Sequence, residues 1–574
     1  MTTYNLNIMC KHLYLYACAV ILALCTACNG LTKSTEVGPY TIKVIDNNVY
    51  HIQDFNSEYP GGEQFDEQGN KTHFNNCSDI YLIVGEESAL LIDLSNRITW
   101  ADNAEESLKQ IVAERIEDKP LTITFTHNHG DHTGMLSAFI NSDVHFALPE
   151  EDFSQMAVRF PKEKYSFYNE SHIFDLGDVK VEAIAVPGHT AGSMVFYLHG
   201  RDILFTGDAI GSGHGVWIFN TDGFSKYVRA VPHLIAWLNN PEHKVNLEKL
   251  RIYGGHYWQR DWLPELGKKE MGMDYLNDMK ELLDQIENGT ATTTPSGLDH
   301  QTLDTYFKNG SAIVVWNAKQ AEDFSKIYPE KMVYRDEDVV FRQIDEHTWV
   351  GNGHLVYNES VYLIEGETQA LLIDAGTVMP NLDKAVATLT DKPVLVALTH
   401  AHGDHAGAID CFPEIFINPV DSNLLKNQTN YKGEVRYLSD GLTIDLGGRQ
   451  IEVMYTPGHT SGSTTFFDIE RHYGFSGDAF GSTNLLLFEG TFKQLIETTT
   501  RTAEYMQQNG IEKLYPGHYQ GNPETLQRIL DEKKMSEEVL SGKRKGMPNN
   551  TSGLNSYIYD YGVYIRYNDP QALQ

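Results

Sequence analysis

Thr126-His127-Asn128-His129-Gly130-Asp131-His132 places three histidines and an aspartate within six residues. The apolar run Leu121 to Phe125 before it reads as a buried strand, and Gly130 to Gly134 reads as a turn opening a helix. A strand ending in an HxHxDH loop splays alternate side chains. His127 and His129 are then directed at one metal ion, and Asp131 and His132 at a second. Imidazole with carboxylate is a donor set for Zn²⁺, with Fe or Mn as the next choices.

The stretch recurs. Thr399-His400-Ala401-His402-Gly403-Asp404-His405 follows the apolar run Val394 to Leu398, and His400 lies 273 residues beyond His127. A chain of 574 residues is too long for one core and suits two domains. The 41% hydrophobic and 21% charged content is that of a folded globular protein. A formal charge of −33 disfavours nucleic acid as a partner. Four of the six cysteines (Cys10, Cys18, Cys25, Cys28) crowd the start, leaving Cys77 and Cys411 in the body, so no disulfide framework is expected.

Residues 1–27 read as a signal peptide: Lys11, the apolar block 13–24, then small residues before Cys28. The Cys25-Thr26-Ala27-Cys28 ending resembles a bacterial lipoprotein signal, which implies cleavage before Cys28 and a lipid on its sulfur. The expectation is an exported protein of the periplasm or cell envelope, touching the membrane only through that lipid. Residues 28–39 form a tether.

In the first repeat, Val44 to Ile52 reads as one strand, followed by a polar, Gly-rich segment from 53 to 75. Ile80 to Val84 and Ala89 to Asp93 read as strands around the turn 85–88, and 102–116 has helical spacing. Further strands lead into Gly188-His189-Thr190, Gly207-Asp208-Ala209 and Gly255-His256-Tyr257. Each is a strand, a glycine-containing turn and one ligand-type residue, which gathers side chains from distant parts of a chain at one end of a sheet.

HxHxDH, GHT, GDA and a final GH, each after a strand, resemble the metallo-β-lactamase superfamily. The resemblance implies an α/β (α+β) αββα sandwich, and the motif set is similar to that of glyoxalase II and the lactonases. It implies that His127, His129 and His189 hold one metal, that Asp131, His132 and His256 hold a second, and that Asp208 bridges them. The second repeat carries the same set: His400, His402 and His459; Asp404, His405 and His518; and Asp478. Both repeats end in a charged helix, a Ser-Gly-Leu (296–298 and 552–554) and an aromatic-rich strand. The domains are therefore expected at 40–325 and 334–574, each with two Zn²⁺ ions.

Asp93 and Asp374 end matching strands, where an Asp in this family orients groups behind the metals; capping the strand end is the other role open to them. Tyr257 and Tyr519 follow the last metal histidines and are candidates for a substrate hydrogen bond or for packing. His214 and Trp217, in a Gly-flanked segment, are candidate substrate contacts.

The implied reaction is hydrolysis. A paired metal site lowers the pKa of a shared water from about 15.7 towards neutrality. Asp131 and Asp404, nearest that water by analogy, orient it and pass its proton to the leaving group. Asp208 and Asp478 stand where zinc β-lactamases usually carry Cys or Ser, which argues against β-lactams. A small-molecule ester, thioester or lactone is the expected substrate. The alternatives are a phosphodiester, weak β-lactam turnover, or a non-catalytic metal-binding or interaction protein. The sequence leaves oligomeric state open.

Overall fold

The computed structural model describes residues 34–54, 64–65, 71–73, 78–99, 101–211, 215–256, 271–298, 300–353, 359–377, 379–481 and 484–574. The signal and lipidation readings, and Cys28, His214 and Tyr257, lie outside the described residues. Among those residues no helix is long and apolar enough to cross a membrane. The chain divides into two compact units between Phe324 and Ser325.

Two sheets form the centre of the first unit. One has eight strands and runs from Thr35–Val37 at one edge to Tyr165–Tyr168 at the other. The second has five: Ile173–Asp175, Lys180–Ala185, Met194–Leu198, Ile203–Gly207 and Arg251–Gly254. Strands in the middle of both sheets are buried along their whole length, as sheets covered on both faces require. Tyr81, Ile83, Leu90 and Ile92 face Val181, Ala183, Phe196 and Phe205 across the inter-sheet core. Leu108, Ile111 and Val112 of the helix Ala104–Ile116 cover the outer face of the first sheet. Thr221–Asn239 and Met273–Glu287 cover the outer face of the second. The layers are therefore α, β, β, α.

The second unit repeats this plan with sheets of eight and six strands. Its inter-sheet core joins Tyr362, Ile364, Leu371 and Ile373 to Ile451, Val453, Phe466 and Phe475.

Two features differ from the sequence expectation. Val44 to Ile52 is not one strand. Tyr40–Asp46 and Val49–Gln53 form a hairpin, and Asn48 turns it at a φ of 55°, a conformation asparagine tolerates better than most residues. Each unit also has a third, four-stranded sheet. In the first it joins Val216–Trp217 in parallel to Ala312–Trp316, so the Gly215 to Trp217 segment is partly strand and not all loop. In the second, Asn484–Leu487 pairs with Val563–Tyr567 in the same way.

Candidate metal centre

The ligand-type side chains converge at the strand ends in each unit. In the first, one ligand atom each from His127, His129 and His189 lie within 4.8 Å of one another, as do those of Asp131, His132, Asp208 and His256. In the second, His400, His402 and His459 form one group and Asp404, His405 and His518 another, and Asp478 joins His400 and His405. All fourteen residues proposed as ligands are thus brought together, seven in each unit.

The two oxygens of Asp208 address different histidines. Oδ1 lies 3.3 Å from His132 Nε2 and 3.3 Å from His256 Nε2, and Oδ2 lies 3.5 Å from His189 Nε2. Asp478 stands between its two groups likewise, with Oδ1 3.5 Å from His405 and Oδ2 3.6 Å from His459 and 3.4 Å from His518. Asp131 Oδ2 is 3.5 Å from His256 Nε2, and Asp404 Oδ2 is 3.6 Å from His518 Nε2.

The outward nitrogens of the histidines are held by acceptors. His189 Nδ1 donates to the Trp217 carbonyl at 2.9 Å, and His459 Nδ1 to the Leu486 carbonyl at 2.7 Å. A carbonyl only accepts, so Nδ1 carries the proton. Burial drives both rings down to a pKa of about 4, so they are neutral and Nε2 presents a lone pair inward. His129 Nδ1 lies 3.0 Å from that atom of His189, and His402 Nδ1 lies 2.9 Å from that of His459. The buried Nε2 of His127 has no hydrogen-bond partner, and those of His132 and His405 face the Asp208 and Asp478 carboxylates, at 3.3 and 3.5 Å. Close-set lone pairs and an orphaned buried nitrogen are costly unless a cation joins them, so these donor sets fit a divalent metal of the zinc type.

Asp93 and Asp374 lie behind the centres. Asp93 accepts from Thr126 N and Oγ1, each at 2.7 Å, and from His132 Nδ1 at 2.9 Å. Asp374 accepts from Thr399 N and Oγ1 and from His405 Nδ1 at the same three distances. Gly255 and Gly517 are tied to the ligands by space. A Cβ on Gly255 would stand 2.5 Å from Asp208 Oδ1, and one on Gly517 would stand 2.3 Å from Asp478 Oδ1. Tyr519 is fully buried, its hydroxyl donates to Glu330 at 2.7 Å, and its ring lies against Tyr515. Trp217 lies beside the site, half-buried.

Sequence reasoning missed Asp152 and Asp421. Asp152 accepts from Asn128 N, Thr190 Oγ1 and Gly192 N, which ties the HxHxDH loop to the GHT loop. Asp421 accepts from Ala401 N and Thr460 Oγ1 in the second unit. Their flanks, Glu151-Asp152-Phe153 and Val420-Asp421-Ser422, share no motif. The one signal was their separation of 269 residues, close to that between the two GHT turns.

The charges make the metal-free centre pH-sensitive. Burial alone would lower His256, but the Asp208 carboxylate outweighs it and raises the ring to about 9. His132 and His405 are likewise held well above the usual histidine value by Asp208 with Asp93 and by Asp478 with Asp374. These raised rings stabilise the fold below the unfolded value of 6.5, and that contribution is lost as pH rises towards about 9. His189 and His459, lowered to about 4, act oppositely and cost stability as pH falls from 6.5 to 4. The melting temperature of chelator-treated protein is therefore expected to peak near pH 6.5 and fall on both sides. Zinc-loaded protein keeps its stability at pH 8.5, since ligation requires deprotonated rings. A metal-free profile that climbs steadily from pH 6.5 to 9 would contradict these protonation states.

Residues 78–256 and 355–518 match the Metallo-beta-lactamase superfamily, and the chain belongs to that family. Among curated proteins it resembles "Acyl-coenzyme A thioesterase MBLAC2" of Gallus gallus, 27% identical over 199 residues, which cover 28% of this chain and 72% of that protein. The Homo sapiens protein of the same name is 26% identical over 203 residues, with the same coverage. Solved structures similar to parts of the chain include a metallo-beta-lactamase from Pontibacter korlensis, at 18% identity and a TM-score of 0.30, covering 35% of this chain and 99% of that one. Another is a metallo beta lactamase from Erythrobacter litoralis with beta mercaptoethanol in its active site, at 20% identity and a TM-score of 0.29, covering 36% and 99%.

Proposed function

We propose that the chain is a metal-dependent hydrolase of thioesters with a competent site in each unit. The observation that carries this reading is the duplicated seven-residue donor set, complete in both units, with inward lone pairs and an aspartate between two groups of ligands. A repeat with no work to do would be expected to lose donors. The thioester bond is chosen over the ester and the lactone because the two relatives named above, 27% and 26% identical over a stretch covering 28% of this chain, are acyl-coenzyme A thioesterases by name.

His127, His129 and His189 would hold one zinc ion and Asp131, His132 and His256 the other, joined by Asp208. The second unit would use His400, His402 and His459; Asp404, His405 and His518; and Asp478. When bound, the ions supply the positive charge that acidifies a water and polarises an acyl carbonyl. The protein's own part is orientation and proton transfer. Asp131 has a side chain 21% exposed, against 7% for His256 and none for His132, so it is the cluster member most open to an incoming water. Burial opposes its ionisation, but His132 and His256 lower its pKa on balance, so it is a carboxylate at neutral pH. It aligns the water by accepting one hydrogen bond and then delivers the proton to the departing sulfur. Asp404, 29% exposed, occupies the same place in the second unit.

The test is a panel of thioester, aryl ester, lactone, β-lactam and phosphodiester substrates, each with zinc and with chelator. Chelator-sensitive hydrolysis is expected, fastest on the thioester. Zinc-loaded protein that turns over none of the panel would move the reading to a metal-binding or interaction role.

A further inference from the structure

Each centre has an apolar wall of its own, and the two differ in the charge beside it. Phe219 lies 5.9 Å from the His129 ring and 5.4 Å from the His189 ring. Phe488 lies 5.6 Å from His402 and 5.4 Å from His459. Each phenylalanine is half-buried and sits two residues beyond the carbonyl that holds the GHT histidine, so the third sheet fixes both the ligand and the wall. Neither phenylalanine has a role in holding metal.

Around the wall the units diverge. In the sequence, six residues separate Leu298 from the strand Thr305–Asn309 in the first, whereas only Asn555 separates Leu554 from Ser556–Asp560 in the second. The longer connection carries His300, which is exposed, with its ring 6.1 Å from Phe219. The Thr302 amide donates to His300 Nδ1 at 3.3 Å, and Thr302 Oγ1 lies 3.0 Å from the same nitrogen. A backbone amide only donates, so Nδ1 is the lone-pair nitrogen and Nε2 carries the proton. The ring therefore offers an N–H donor beside the wall.

The second unit places a carboxylate there instead. Glu489 directly follows Phe488, is exposed, and accepts from the amide of Ser461 at 3.0 Å, two residues after the ligand His459. Asn220 stands at the matching position of the first unit. It is uncharged, and its side chain is engaged in capping the helix Thr221–Asn239 by accepting from Gly223 N at 2.8 Å.

From this we infer that the two sites divide their substrates by charge. The first takes thioesters with an anionic group on a non-reacting arm, which His300 receives, and the second takes neutral ones because Glu489 repels such an anion. The inference rests on the hydrolase reading for its substrate class, and its test separates the two. A full-length His400→Ala chain reports on the first unit and a His127→Ala chain on the second. Each is assayed with succinyl and butyryl thioesters of one thiol, which differ by a carboxylate on the acyl arm. Butyryl thioesters of 3-mercaptopropionate and propanethiol place the same difference on the leaving arm. Binding of the two free thiols to the zinc-loaded chains is measured by calorimetry, independently of turnover.

On at least one arm the first unit is expected to favour the anionic member about tenfold and the second to disfavour it by a similar factor, the scale of one hydrogen bond to a charged group. His300→Ala should bring the first ratio near one, and Glu489→Gln should raise the second. Equal ratios in the two units on both arms, or ratios that neither substitution moves, would overturn the inference. Discrimination between the free thiols without hydrolysis of any thioester would leave the charge division standing and remove the hydrolase reading.

Discussion

Asp208→Asn is expected to remove about half of the chain's bound zinc and to lower turnover by the first unit about a hundredfold or more, at or beyond the upper end of the roughly 10- to 100-fold loss typical when an outer partner of a metal site is removed. Asp208 addresses both ligand groups of its unit, with one oxygen towards His132 and His256 and the other towards His189. An asparagine fills the same space but carries one acceptor and no charge. The carboxylate also sustains the local charge balance. Burial alone would raise its pKa, and His256 and His132 instead hold it well below the usual range. Without that anion the two rings face burial with less compensation. Asp478→Asn should do the same to the second unit, where His518 and His405 surround the carboxylate. Zinc content by atomic absorption and chelator-sensitive hydrolysis, read on both single variants and the double, give the answer. Two partial losses that combine to silence mean two working sites. Complete silence from one single variant means that the other unit binds metal without turning over. Full zinc and full turnover in Asp208→Asn would sink the bridging role.

The histidines and aspartates that converge at the candidate metal centres were legible in the sequence because their chemistry is carried by residue type. Histidines and aspartates in HxHxDH, GHT, GDA and GH turns follow apolar β-branched runs, and the second copy repeats the order. The strand pairs Ala89–Ile92 with Leu121–Thr124, and Ala370–Ile373 with Val394–Ala397, were legible for the same reason, since buried parallel strands read as continuous apolar runs. Asp152 and Asp421 were not, because an acidic residue after a proline-containing segment looks like ordinary surface until the amides it accepts from are placed beside it. Phe219 and Phe488 were missed for a related reason. The position of Phe219 depends on the parallel pairing of Val216–Trp217 with Val314 and Val315, and that of Phe488 on the pairing of Asn484–Leu487 with Tyr564–Tyr567; strands this short leave little periodicity to read. The hairpin at Asn47 and Asn48 was read through as one strand because apolar residues flank the turn closely on both sides, Val44 and Ile45 before it and Val49 and Tyr50 after it.

Asp93→Ala should cost the first unit both stability and metal, and Asp93→Asn should separate the two losses. Asp93 is buried at a φ of 62°, and so is Asp374. Its carboxylate is the shared acceptor for the Thr126 amide, the Thr126 hydroxyl and His132 Nδ1. Alanine leaves the amide and the ring nitrogen without an acceptor, at about 1–3 kcal/mol each, and lacks the short polar side chain that helps aspartate hold the left-handed region. A loss of about 3–5 kcal/mol and a clear drop in melting temperature follow. Asparagine tolerates the backbone angle and keeps one oxygen, but it has only that one acceptor for positions where donors approach from two sides. If the oxygen stays with the Thr126 amide, the NH₂ group faces His132 Nδ1. The ring then adopts the tautomer with its proton on Nε2, the atom that faces Asp208 at 3.3 Å and that a metal would need. The asparagine variant is thus expected to fold with a modest loss of stability while its zinc affinity in the first unit falls about 10- to 100-fold. Zinc titration against a competing chelator, beside a thermal melt, reads both quantities. Wild-type affinity in Asp93→Asn would show that Asp93 supports the strand end and leaves the histidine tautomer to the metal itself.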